Sequence, residues 1–378
     1  PYTKISNHMI LQEKGENAIV NWLKDKNYLI SYSIITSYGH LPLKASYIDL
    51  VNSGSTIRQV NGYRNKAMHH LRKREYQKAA SMFLKQIELN PFDKKSIEYL
   101  GGGSPMEQVW LKNYDEGVPH SVEYPQKPLF HFLEEAAKKY PDKACTIFKG
   151  AKVSYKEMDE ISDALAGALA DIGVKKGDRV GVFMPNTPQF VMAYYAVLKA
   201  GGVVVASNPL YTATEIAHQA NDAGIEVMLV MSNFYETIQS ARDKTKLKTV
   251  IVTNLKETLP ALTRVLFTLA VEKKGGHRIE GGLAEGDIWM QDLLAKYKPS
   301  DRPRLEIGPD DPCLFQYSGG TTGVPKGAVA LHRNIVANSL QISSWMTDLE
   351  EGEEVVLMGI PLFHVYGMVA GMNFGFAN

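Results

Sequence analysis

The sequence predicts an α/β protein with a mainly parallel sheet flanked by helices. Two observations carry this. Short apolar runs, "ACTIF", "RVGVFM", "VVVAS", "VMLVM", "TVIVT", "CLFQY" and "EVVLMGI", recur from about residue 126 onward, and helical patterns separate most of them. A glycine-rich stretch, "YSGGTTGVPKG" (Tyr317–Gly327), also follows the run "CLFQY" directly. Loops in that place lie at the carboxyl edge of a parallel sheet, where ligands bind.

Local signals fix some helix ends. Ser154-x-x-Glu157 and Thr212-x-x-Glu215 read as capping boxes, with Gly173 and Gly224 closing the helices they open. A further helix is expected from about Leu331. "GGHRIEGGLAEGD" (275–287) reads as a mobile surface loop, and Asn208-Pro209 as a turn.

The 378 residues divide unevenly in charge: residues 1–105 carry a net +7 and residues 106–378 a net −6, for a total of +1. No overall basic footprint points to nucleic acid. The triplet Arg72-Lys73-Arg74 reads as a solvated helix face. Cys145 and Cys313, the two cysteines, sit in apolar runs and are expected to be free thiols in a cytosolic protein. No apolar run is long enough to span a bilayer, and no signal peptide heads the chain. Both ends look cut: Pro1 replaces a starting methionine, and the last residues are apolar.

Residues 1–56 are unassigned, with paired helices expected over "NAIVNWLKDKNYLISYSIITSYGHL". Residues 57–100 have small or apolar residues at helical spacing (Ala67, Leu71, Tyr76, Ala79, Ala80, Phe83, Ile87), and Pro91 ends the second helix. This stretch resembles one tetratricopeptide repeat, which implies a protein partner; an ordinary helical hairpin is the other reading. "GGGSP" (101–105) reads as a flexible linker or fusion junction before a part running from 106 to 378.

In the glycine stretch, Gly319, Gly320 and Gly323 let backbone N–H groups approach an anion. Ser318, Thr321 and Thr322 add hydroxyls, and Lys326 adds a charge that reaches phosphate oxygens. Pro325 stiffens the turn. The spacing is not that of a Walker A loop. Composition alone leaves a polyphosphate cradle and a solvent loop both open.

"YSGGTTGVPKG" closely resembles the phosphate-binding signature of the adenylate-forming (AMP-binding) superfamily. Other stretches agree in order: "VSYKEMDEISDALAGAL", "YAVLKAGGVVVASNPLYTATEIAHQANDAG", "LHRNIVAN" and "PLFHVYGM". "NPLYT" and "LHRNIVAN" look most like long-chain fatty-acid–CoA ligases. The resemblance runs over about 106–378, the N-terminal part of such a ligase. It implies that a fatty carboxylate attacks the α-phosphate of ATP, expels pyrophosphate, and passes to coenzyme A. It further implies that Ser318, Gly319, Gly320, Thr321, Thr322, Gly323 and Lys326 hold phosphates, with Mg²⁺ offsetting charge. His364 would be catalytic, and with Phe363 would face the acyl carboxylate. His332 would brace the structure, and Tyr317 would pack under the loop. The adenine, ribose and Mg²⁺ contacts and the C-terminal lysine domain are expected beyond Asn378, so this chain alone is expected to be inactive. The alternatives are a protein-interaction scaffold with a passenger domain, or a ligase for an aryl or amino acid.

Residues 259–278, "LPALTRVLFTLAVEKKGGHR", admit two readings: an interfacial helix that collects fatty acid at a membrane, or an amphipathic helix packed on its own domain. Its composition favours the second.

Overall fold

The computed structural model describes residues 32–36, 39–43, 111–318 and 325–378. The chain forms two units, Pro1–Glu116 and Gly117–Asn378. In the first, β1 (Tyr32–Thr36) pairs antiparallel with β2 (Gly39–Leu43), from Tyr32↔Leu43 to Thr36↔Gly39. Over these residues a hairpin stands where paired helices were expected; the rest of that stretch lies outside the described residues. Ile34, Ile35 and Thr36 are β-branched, and such side chains favour the pleated strand over the helix. The tetratricopeptide-like stretch 57–100 and the linker 101–105 lie outside the described residues.

The second unit opens with α1 (His131–Lys139) and a small antiparallel hairpin, β3 (Ala144–Phe148) and β4 (Ala151–Ser154). The expected strand "ACTIF" therefore forms, but outside the main sheet. α2 (Tyr155–Ile172) starts at the Ser154 capping box and stops at Gly173, whose φ of 107° suits a residue without Cβ. β5 (Arg179–Phe183), α3 (Pro188–Lys199) and β6 (Val203–Ala206) follow. α4 (Ala213–Ala223) has the Thr212 capping box and ends at Gly224, φ 70°. Next come β7 (Val227–Met231), α5 (Tyr235–Arg242), β8 (Thr249–Thr253), α6 (Ala261–Ala270), β9 (Ile288–Trp289) and α7 (Met290–Lys296). The chain continues through β10 (Pro312–Ser318), β11 (Lys326–Leu331) and α8 (His332–Trp345), then a π-helical stretch at Gly367–Asn373 that runs into α9 (Phe374–Ala377).

Seven strands form the main sheet in the order β11-β10-β6-β5-β7-β8-β9. All its pairings are parallel except β10–β11. Side chains alternate across the sheet, so each strand feeds two cores. Leu229 and Met231 join one face with Val180, Val182 and Val204; Met228 and Val230 join the other with Val205, Val250 and Val252. Helix α3 belongs to the first core and is buried on every side, its terminal Lys199 included. Asp159 and Asp163 neutralise that ammonium at 2.6 and 2.8 Å, as a buried charge requires. α4 and α5 cover the opposite face through Ile216, Ala220, Ile238 and Ala241.

Two further expectations change. "EVVLMGI" is not a strand: Val355 and Leu357 are exposed, and no neighbouring strand pairs with the segment among the described residues. An apolar run becomes a strand only where a ladder and a second layer receive it. Loop 275–287 has its end fixed. The Asp287 carboxylate is fully buried and accepts from Arg242, Tyr235, Gln239 and the Val250 backbone N–H.

Candidate functional site

β5, β6 and β10 are adjacent and parallel, so their carboxyl ends lie side by side. The glycine loop leaves from the end of β10. Ser318 is opposite Lys326 in the β10–β11 register, so the loop begins and ends at neighbouring backbone positions. Gly319, Gly320, Thr321, Thr322 and Gly323 lie outside the described residues. The structure adds a strand between the loop and the expected helix: β11 returns antiparallel, and α8 starts at His332, next to the expected Leu331. The short run "KGAVAL" is mostly exposed and lacks a clear alternation, which hides it as a strand. Lys326 is exposed and forms no ion pair among the described residues, so its charge is available to a ligand.

Tyr317 is half-buried and donates its hydroxyl to the Asp222 Oδ2 at 2.5 Å. Burial, then the Asp222 carboxylate, push the phenol well above its ordinary range. It packs against the smaller core with its proton firmly held; the loop it was expected to pack under lies outside the described residues.

The aromatic–His segment is pinned to the same edge. Asn186, just past β5, donates to the carbonyls of Met358 (3.1 Å) and Ile360 (2.9 Å) and accepts from the Leu362 N–H at 2.7 Å. Gln316 on β10 donates through Nε2 to the Phe363 carbonyl at 3.4 Å. Phe363 is half-buried and packs on the larger core. Gly367 closes the segment, since a Cβ there would sit 2.4 Å from the Pro361 carbonyl oxygen. His364 is exposed, and its Nδ1 accepts from the Tyr366 backbone N–H at 3.2 Å. In the neutral ring that bond places the proton on Nε2, making Nε2 a donor.

His332 does not join this edge chemistry. It is 1% exposed, and its Nδ1 accepts from the Leu129 N–H at 2.9 Å. Burial lowers its pKa to about 4, so it stays neutral and braces α8 against the start of α1. Asn208 forms the expected turn, its Oδ1 accepting from the Leu210 N–H at 3.0 Å. Both cysteines are free, and burial raises both thiols.

Asn186, Gln316 and Asp222 escape the sequence reading. Each is an ordinary polar residue whose partner is far away in the chain. Only the turn-like "PNTP" after a strand marks Asn186. Among the described residues, no group of three or more His, Cys, Asp or Glu could hold a metal ion. Mg²⁺, which the resemblance implies, therefore has no ligand set assigned here.

The described elements form a mainly parallel α/β fold, and comparison gives the family. The model for AMP-binding enzymes matches residues 133–378; the chain belongs to that family. It is 35% identical over 269 residues to a long-chain-fatty-acid–CoA ligase of Bacillus subtilis, covering 71% of this chain and 48% of that protein. The ligase of the same description from Escherichia coli O157:H7 is 33% identical, covering 70% and 47%. A solved long-chain-fatty-acid–CoA ligase from Archaeoglobus fulgidus aligns with a TM-score of 0.55 at 25% identity, over 70% of this chain and 48% of that one. The chain spans about half the length of the curated relatives it matches.

Proposed function

We propose that these residues form the front part of a fatty-acid–CoA ligase. In this reading a fatty carboxylate oxygen bonds to the α-phosphorus of ATP while the bond to pyrophosphate breaks. The acyl group then passes to the thiol of coenzyme A. The observation that carries the reading is the pinning of Phe363–His364 by Asn186 and Gln316 at the sheet edge from which the glycine loop departs.

Such a displacement is catalysed by positioning and charge neutralisation. Ser318, the loop residues Gly319–Gly323 and Lys326 hold the β- and γ-phosphates. Lys326 neutralises charge on the departing pyrophosphate. His364 Nε2–H donates to the acyl carboxylate, and Phe363 shapes the pocket wall beside it. Mg²⁺, where bound, would add charge neutralisation on the phosphates.

Residues 1–378 alone are proposed to bind nucleotide without useful turnover, since the matched part covers 48% and 47% of these relatives. Calorimetric titration of this chain with MgATP tests the cradle. Binding should be measurable and should weaken about tenfold or more in Lys326→Ala, the loss of one charge-assisted contact of about 1.5–3 kcal/mol. Equal binding by wild type and Lys326→Ala would remove the lysine from the site. A second reading, an aryl-acid ligase, rests on a 29% match over 245 residues to a rice protein named 4-coumarate–CoA ligase 2.

A further inference from the structure

Helix α6 is inside out. A helix on a globular surface turns its apolar stripe inward. Here Leu262, Val265, Leu266 and Leu269, at i, i+3, i+4 and i+7, form one stripe, and they are 73%, 55%, 57% and 80% exposed. Val271 just beyond is 45% exposed. Only Phe267 is buried within the helix, its ring edge-on to His277 at 5.3 Å. The packed amphipathic helix expected from the sequence is therefore corrected: the helix hangs on Phe267 and presents its apolar face to solvent.

The charge of the segment is mostly of one sign, with Glu257 before it and Glu280, paired to Arg278, beyond it. Residues 259–278 contain four Lys or Arg and a single acid, Glu272. That acid is 7% exposed and is neutralised inward, by Lys256 at 2.7 Å and by the Asn254 amide at 2.8 Å. Lys273 and Lys274 are exposed, and neither is in an ion pair among the described residues. The Arg264 side chain bonds only the carbonyls of Lys256 and Glu257 and keeps its charge. At the helix's other end, Gly150 of the β3–β4 turn is near Pro260; its neighbour Lys149 is exposed, with its ammonium 5.8 Å from the Phe148 ring centroid. An apolar stripe with cations at both ends matches the boundary of an anionic bilayer, with leucines at acyl depth and ammonium groups at the phosphates. Among the described residues no helix is long and apolar enough to cross a membrane.

We propose that α6, with Lys149, Lys273 and Lys274, is a docking surface for an anionic lipid bilayer. The proposal does not rest on the ligase reading, because lipid binding involves no turnover. The test is co-sedimentation of the whole chain with phosphatidylcholine vesicles, with and without phosphatidylglycerol. The chain should sediment with the anionic vesicles, and less so as salt is raised. Leu266→Asp with Leu269→Asp should lower partitioning at least about tenfold on both kinds of vesicle. Lys273→Glu with Lys274→Glu should lower it about tenfold on anionic vesicles only. All four positions are exposed, and matching thermal melts show that each variant is folded. Sedimentation with neither vesicle, or equal sedimentation by all variants, overturns the proposal. In that case a dimer by light scattering that Leu266→Asp breaks assigns the face to a second copy. A monomer assigns it to another stretch of chain.

Discussion

Two histidines of one segment of sequence have opposite fates, and burial decides between them. His364 stays exposed with an Nε2 donor free for chemistry. His332 is sealed against Leu129 and Phe130, with a pKa of about 4 against its ordinary 6.5. The unfolded chain takes up a proton at His332 as pH falls through 6.5, whereas the folded chain resists until about pH 4. Stability from this site is thus complete above pH 6.5 and lost between pH 6.5 and 4, by about 3 kcal/mol. His332→Gln keeps an acceptor near Leu129 but does not titrate. Urea melts should show the wild-type advantage over His332→Gln shrinking by that amount across the window. A gap that is constant with pH would show that His332 is not held neutral by the fold. Composition alone does not separate them, since "LHRN" and "FHVY" are each a histidine beside an apolar residue; only the family resemblance assigned His332 a bracing role and His364 the chemistry.

Elements whose signals are local were legible. The capping boxes at Ser154 and Thr212, the glycine stops at Gly173 and Gly224, and the strands β5 to β8 and β10 depend on neighbours in sequence. Elements that depend on distant partners were not legible. β11 needs β10 to become a strand, "EVVLMGI" lacks such a partner, and α6 turns outward because only Phe267 finds a pocket. Gly167, inside α2, belongs to the second group. By propensity alone, alanine there should gain about 1 kcal/mol. Its Cβ, however, would lie 2.8 Å from the backbone oxygen of Asp301, in the turn that α2 packs against. Overpacking against backbone costs about 1–3 kcal/mol, so Gly167→Ala is expected to destabilise by about 1 kcal/mol or more. A higher urea midpoint for the alanine variant would mean that the 299–301 turn moves aside freely.

At the scale of the whole molecule, the second unit places three features on one scaffold. The parallel sheet aligns the ends of β5, β6 and β10. The glycine loop and the aromatic–His segment meet that edge through Gln316 and Asn186. The phosphate-loop signature and "PLFHVYGM" were readable because their residue types are dictated by chemistry; the polar ties that hold them were not, because an amide bond to a distant carbonyl leaves no local pattern. In the proposed function this edge activates fatty carboxylates. The direct measurement is acid-dependent exchange of labelled pyrophosphate into ATP, using the longest natural gene product that carries residues 106–378. Palmitate should support exchange, 4-coumarate and amino acids should support little, and His364→Ala should lower the palmitate rate by about a hundredfold, the loss of one positioned donor. Exchange driven by 4-coumarate and not by palmitate, or palmitate exchange untouched by His364→Ala, would contradict the account.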